Sequence, residues 1–141
     1  MLFRSAALRL ADQILLVGQL ELTSLRNVVR ILMALGQEGG LSEKVRIVMN
    51  RVGADYAEGD ISLKKAEDTM GKPIFWQVPN DTKAMLGARV AGVSLLQHAP
   101  RCRAQQSLAG LAQALFGRTE EPAASPRPAG SFFSRMIGAG N

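Results

Sequence analysis

Aliphatic runs and helical stripes alternate along the first 117 residues. Ile14-Leu15-Leu16-Val17 is unbroken by polar residues and predicts a short buried strand over 13–18. Leu25, Val28, Val29, Leu32 and Leu35 then follow helical spacing, with Thr23 or Ser24 as the expected N-cap and Gly36, Gly39 and Gly40 as the stop. Val45-Arg46-Ile47-Val48-Met49 predicts a second strand, closed by Asn50-Arg51-Val52-Gly53. Ser62 is placed to cap a helix that runs to Met70, with Gly71 just past its end. Pro73–Val78 predicts a third strand, stopped by Pro79, and Asn80 or Asp81 caps a helix to about Ala91 before Gly92. Leu108, Leu111, Ala112, Leu115 and Phe116 form the stripe of a last helix, and Leu2 to Leu10 reads as the end of another.

Strands separated by helices imply parallel pairing, and aliphatic strands without alternation imply that both sheet faces are covered. The expected fold class is therefore α/β, a partial doubly wound parallel sheet of about three strands with flanking helices. Three parallel strands make a small sheet, and such sheets normally continue. The expectation is a second half of a larger doubly wound domain.

Composition changes this picture at one place. The chain is 47% hydrophobic and 21% charged, which excludes disorder throughout. Near Gly117 the balance breaks: RTEEPAASPRPAG carries three prolines and no apolar anchor. Residues 1–117 are thus expected to form the α/β domain, 118–130 a disordered Pro/Ala-rich linker, and 131–141 a short apolar C-terminal segment. In that segment Phe132, Phe133, Met136 and Ile137 would share one side of a helix, with Arg135 beside them. Self-docking or disorder is expected of it first, a linear motif second and membrane contact third, because eight residues with one cation bind lipid weakly.

Charge and reactive residues exclude several functions. The net charge of +5 is spread along the chain, with no basic helix and no aromatic stacking set, so nucleic acid is not the expected partner. One cysteine, Cys102, excludes an internal disulfide framework, and one histidine, His98, excludes a His-pair metal site. No apolar run reaches the ~20 residues needed to span a bilayer, and Arg4, Arg9 and Asp12 interrupt any signal-peptide core. A cytoplasmic location is expected. Cys102 reads as a structural thiol, His98 as a surface or capping residue, Trp76 as core, and Lys64-Lys65 as a solvated helix face.

Ligands of parallel α/β sheets bind beyond the carboxyl ends of the strands. Here those ends are Gly18–Thr23, Asn50–Asp55 and Pro79–Asp81. The Asn50 amide offers a donor and an acceptor, which suits an adenine edge, and the backbone of Pro79–Asp81 lies where it could meet the same base. The alternative is that Asn50 and Asp81 only stabilise a turn and a cap. No G-x-x-x-x-G-K-[ST] occurs, and no strand end carries a recognisable magnesium aspartate. ATP hydrolysis by this chain alone is not expected.

Four segments together resemble a known family. ADQILLVGQLELTSLRN, VRIVMNRVG, VPND and GARVAGVSLLQHAPRCR are similar to the second half of MinD/ParA-type deviant-Walker ATPases, and most of all to the CpaE/TadZ proteins of Flp (Tad) pilus assembly. The shared features are Leu25-Arg26-Asn27 at a helix start, Asn50-Arg51 at a strand end, the Pro79-Asn80-Asp81 turn and the Leu95–Pro100 stretch. They span roughly residues 6–117. The resemblance implies a P-loop NTPase-like fold and an ATP-dependent dimer that places pilus machinery at a cell pole, peripheral to the inner membrane. It carries adenine contact over to Asn50, and to Pro79, Asn80 and Asp81 from the next strand, with Arg51 beside them. ATP would then be bound through its base only, if a phosphate-binding half is supplied. The family's P-loop, signature lysine, magnesium aspartate and receiver-like domain have no counterpart here. Ser94 and Cys102 stand where the family favours proline and serine. Implied partners are a second copy, an intact ATPase, or pilus assembly and secretion components. Two other functions stay open: a non-catalytic module docking on such an ATPase, and a basic nucleic-acid-associated ParA-like module.

Overall fold

The computed structural model describes residues 2–53 and 61–117, with side chains from residue 6 onward. The expected linker and C-terminal segment, 118–130 and 131–141, lie outside the described residues. In chain order the elements are α1 (Leu2–Leu10), β1 (Ile14–Gly18), α2 (Leu22–Gln37), α3 (Leu41–Lys44), β2 (Val45–Val52), α4 (Leu63–Met70), β3 (Ile74–Pro79), α5 (Thr82–Ala91), α6 (Leu95–His98) and α7 (Arg103–Phe116). The strands form one parallel sheet in the order β1-β2-β3, so among the described residues β1 and β3 each have one neighbour.

Local chemistry accounts for most of the element ends. The Ser62 hydroxyl accepts from the Lys65 amide, and the Asp81 carboxylate accepts from the Ala84 amide, so both expected caps are formed. Asp81, not Asn80, is the cap of α5. Gly71 and Gly92 close their helices in the left-handed region, where a side chain would be strained. Ser94 and Gln97 form a reciprocal capping box that nucleates the four-residue α6. Lys44, in the last turn of α3, donates to the carbonyls of Arg9 and Ala11 at 2.9 and 3.0 Å and so ties the end of α1 to the sheet layer.

Two expected boundaries are corrected. Thr23 and Ser24 do not cap α2. The helix starts at Leu22 behind an extended Glu21 that makes no side-chain cap bond. The Ser24 hydroxyl instead accepts from the Gln19 amide at 2.8 Å and closes the β1–α2 turn. Nor does Gly36 end α2, which continues to Gln37, where the Glu38 amide returns to the Leu35 carbonyl. An isolated glycine costs a helix only about 1 kcal/mol, and packing of Leu35 outweighs that.

The two faces of the sheet are unequally covered. Register pairs Leu16 with Ile47 and Gly18 with Met49, and these residues face α2 and α4. There the main core forms from Leu25, Val28, Leu35, Leu41, Val45, Ile47, Met49, Ala66 and Met70. Leu15 and Val17 point the other way, and so does Val48, the register partner of Val17. On this second face α7 lies against β3 and α5 follows it, but Leu15 and Val17 are left 39% and 58% exposed. Among the described residues, aliphatic character on both faces of β1 is thus matched by full cover on only one.

Candidate functional site

The site begins with a defect in the β2–β3 ladder. Met49 pairs with Gln77 and Val52 with Pro79, so Asn50 and Arg51 together oppose the single residue Val78. This is a β-bulge in β2. In a regular strand Asn50 and Arg51 would point to opposite faces. The bulge puts Arg51 at φ 58°, a left-handed conformation uncommon for any residue but glycine. The Asn50 side chain supports it: Oδ1 accepts from the Arg51 amide at 2.9 Å. Beyond the bulge the ladder resumes, with the Asn80 amide donating to the Val52 carbonyl at 2.9 Å.

This local geometry opens a groove of about 680 Å³ at the carboxyl ends of the strands. All five residues singled out in the sequence, Asn50, Arg51, Pro79, Asn80 and Asp81, line it. Leu15, Val17, Val48 and Val78 form its floor, Met85, Leu86 and Arg89 of α5 one wall, and Ala104, Leu108 and Leu111 of α7 another. Its size lies within the ordinary range of small-molecule sites. Apart from Arg89 and Thr82 of α5, its floor and walls are apolar, and the other polar groups gather at the strand ends.

The hydrogen bonds divide the five residues by role. Asp81 is committed to the cap of α5 through Oδ1. The Asn80 Oδ1 accepts from the Thr82 hydroxyl at 3.2 Å, which holds the turn. Asn50 keeps more capacity. Its Oδ1 has a second lone pair, and its Nδ2 hydrogens meet no acceptor among the described residues. That leftover donor and acceptor pair matches an adenine edge. The sequence has no glycine-rich loop with a lysine of the kind that holds nucleotide phosphates. No group of three or more His, Cys, Asp or Glu residues placed to hold a metal ion occurs among the described residues.

The α5 and α7 walls were not among the expected site residues. Their signal is present in the chain: Thr82, Met85, Leu86 and Arg89 recur at one helical face, and so do Ala104, Leu108 and Leu111. The other singled-out residues lie away from it. Cys102 is the N-cap of α7, its Sγ accepting from the Gln105 amide at 3.4 Å. His98 is exposed and lies over Gly87 of α5. Trp76 is half-buried, not fully core. Its indole N–H is shared between the carbonyl and hydroxyl of Ser107, and that hydroxyl donates to the Gln77 carbonyl at 2.8 Å. Lys64 and Lys65 are exposed on α4. No helix among the described residues is long and apolar enough to cross a membrane.

No protein-family profile matches the chain. No curated protein matches it in sequence. Solved structures do match. A ParA family ATPase from Chlorobium tepidum superposes with a TM-score of 0.69 and 25% identity, over 77% of this chain and 43% of that one. The MinD cell division protein of Aquifex aeolicus gives 0.63 and 20%, over 76% and 44%. MinD from the Aquifex aeolicus MinC:MinD complex gives 0.67 and 20%, over 80% and 46%. The chain thus spans less than half the length of each of these structures. The likeness to them shows that its three-stranded parallel sheet and flanking helices have the ParA/MinD-type fold of P-loop NTPases.

Proposed function

We propose that this chain supplies the base-binding half of a ParA/MinD-type ATP site and serves Flp (Tad) pilus assembly in the manner of CpaE/TadZ proteins. The observation that carries the site is the β2 bulge, which brings Asn50 and Arg51 to the same groove as Pro79–Asp81. The pilus assignment rests on the segment resemblance over residues 6–117. Asn50 reads the adenine edge, Pro79 and Asn80 flank the ring, and Asp81 keeps α5 in place. The phosphate-binding loop, its lysine and its magnesium ligand come from outside these 141 residues, so the chain alone does not hydrolyse ATP. Partners of this reading are an intact ATPase or a second copy together with pilus components, at the cytoplasmic face of the inner membrane or at a cell pole.

The test separates base from phosphate. Adenosine titrated into the labelled chain is expected to shift the amide signals of Asn50, Arg51 and Asn80, and guanosine is not. Asn50→Ala removes the adenosine response. Equal shifts from both nucleosides, or none from either, would sink the base-site assignment. Loss of pili on deletion of the gene, restored by the wild-type chain, tests the cellular role separately.

A second reading, a non-catalytic docking module, is favoured by one observation. Leu15 and Val17 are exposed on an edge strand, which is a template for a partner's strand and an apolar seat for its helix. It differs from the first in expecting partner binding that nucleotide does not alter.

A further inference from the structure

A second groove, of about 600 Å³, lies between α2 and α4 on the other side of the sheet. Leu22 and Val29 of α2 and Ile61 are its apolar lining, and Arg26, Arg30 and Lys65, all exposed, are its cations. The helical period explains the division. Leu22, Val29 and Met33 fall on one line of α2, and Arg26 and Arg30 on the line beside it. Leu22 is 57% and Met33 66% exposed, so the apolar line faces outward rather than into the core.

The charge of this groove has one sign. Among the described residues the side chains of Arg26, Arg30 and Lys65 make no hydrogen bond or ion pair. Helix α2 carries no carboxylate. On α4, Glu67 accepts from the Ile74 amide at 2.8 Å, and Asp68 is not part of the lining. We propose that this groove docks an amphipathic acidic helix of a protein partner. Apolar side chains of that helix enter between α2 and α4, and its carboxylates meet Arg26, Arg30 and Lys65.

The position of the groove separates it from the open face of the sheet. Helix α2 connects β1 to β2 and α4 connects β2 to β3, both on the face that holds the main core. The space between them lies over the middle strand. A strand added beyond β1 or β3 would bring its helix beside α2 or beside α4 in the same layer, not between them. What fills the groove must lie on top of the helix layer.

Geometry and chemistry favour a helix as the occupant. Leu22 to Met33 extends about 16 Å along the axis, three turns of a partner helix. Arg26 and Arg30 are one turn apart, the spacing of glutamates at i and i+4. Apolar contact supplies affinity here, and the exposed charges supply selectivity. Nucleic acid fits less well, because no aromatic side chain lines the groove for stacking. Lipid takes an apolar face that stands out from its cations, not one set between two helices.

The experiment uses the full chain and two synthetic peptides of about 15 residues, long enough for a marginal helix. One carries leucines at spacings of three and four with glutamates beside them; the other has lysines for the glutamates. The glutamate peptide is expected to shift the methyl signals of Leu22, Val29 and Ile61 and to leave those of Leu15 and Val17 unmoved. The lysine peptide shifts neither set. Arg26→Glu with Arg30→Glu weakens the glutamate peptide about tenfold, the scale of two exposed charge pairs, and gives the lysine peptide binding it lacked. Leu22→Ser, at an exposed position, weakens the glutamate peptide as well. Groove methyls unmoved by the glutamate peptide, or equal affinity for the two peptides, overturn the proposal. Shifts at those methyls from phosphatidylglycerol vesicles or a DNA duplex, with none from the glutamate peptide, overturn it in favour of a membrane or nucleic acid. Asp55, Glu58 and Asp60 precede Ile61 in the chain. Peptide binding that appears only after Asp55→Asn, Glu58→Gln and Asp60→Asn assigns the cations to the chain's own carboxylates and overturns it too. No arm contains nucleotide, so the base-site reading stands or fails separately.

Discussion

Gly18→Ala tests whether the α2 face of the sheet is as tightly packed as it looks. Gly18 ends β1, pairs with Met49 and is buried. An added Cβ would lie 2.9 Å from Val28 Cγ2, 3.5 Å from Ser24 Oγ and 3.6 Å from Met49 Cε. The first approach is shorter than any tolerated carbon contact. Val28 is 3% exposed in the middle of α2, and a β-branched residue in a helix keeps one rotamer. It cannot swing away, so α2 must move off the strand. Replacing glycine in a strand gains about 0.5–1 kcal/mol of chain entropy. Overpacking of a filled core costs about 1–3 kcal/mol. The expected net loss is about 1–2 kcal/mol, read as a lower urea midpoint with an unchanged slope. In a domain of this size that is a fall of roughly 4–15 °C in Tm. The double variant with Val28→Ala removes the methyl group that is struck. Its loss is expected to fall short of the sum of the two single losses by about 1 kcal/mol, since contacting sites couple. A Gly18→Ala variant as stable as the parent, or strictly additive losses in the cycle, would refute the packing account.

Four further outcomes are expected. Gly110→Ala sets a helix-propensity gain of about 1 kcal/mol against a Cβ 3.0 Å from Trp76 Cζ2. Because two bonds to Ser107 pin the indole, the expected result is lower stability, by up to about 2 kcal/mol, and a shifted Trp76 emission; a more stable variant would show that the ring yields freely. Cys102→Ser replaces a weak sulfur acceptor at the α7 N-cap by a hydroxyl and should raise stability by about 0.5–1 kcal/mol; an unmoved urea midpoint would count against the capping role. With a phosphate-binding half supplied, Asn50→Ala should weaken ATP binding by about 1–3 kcal/mol and narrow the preference over GTP, and an unaltered preference would leave Asn50 a turn residue only. Native-state hydrogen exchange should place the amides of β2 and α2 in the most protected class and those of α5 and α6 in a less protected one, because the main core cluster includes no residue of α5, α6 or α7; a single opening free energy for all of them would contradict that hierarchy.

The three strands were legible because continuous aliphatic runs bounded by Gly, Pro or Asn have few other uses in a chain this short. The caps at Ser62 and Asp81 were legible for a local reason too: one side-chain oxygen and one amide three residues on suffice. Helix α2 was misread at its start because Ser24 had a nonlocal competitor, the Gln19 amide, which claims its hydroxyl in the β1–α2 turn. The short α3 and α6 carry too few residues to show a period. The five strand-end residues singled out in the sequence do line one groove, but the reason they converge is not visible there. Alternation alone would send Arg51 to the face opposite Asn50. What brings both into one groove is an unpaired residue in β2 and a left-handed Arg51, and no residue pattern announces a bulge where the strand carries no glycine. That conformation is supported by the Asn50 side-chain Oδ1, which accepts from the Arg51 amide. Asn50 therefore lines the groove while its Oδ1 shapes the backbone of the turn, and its Nδ2 meets no acceptor among the described residues.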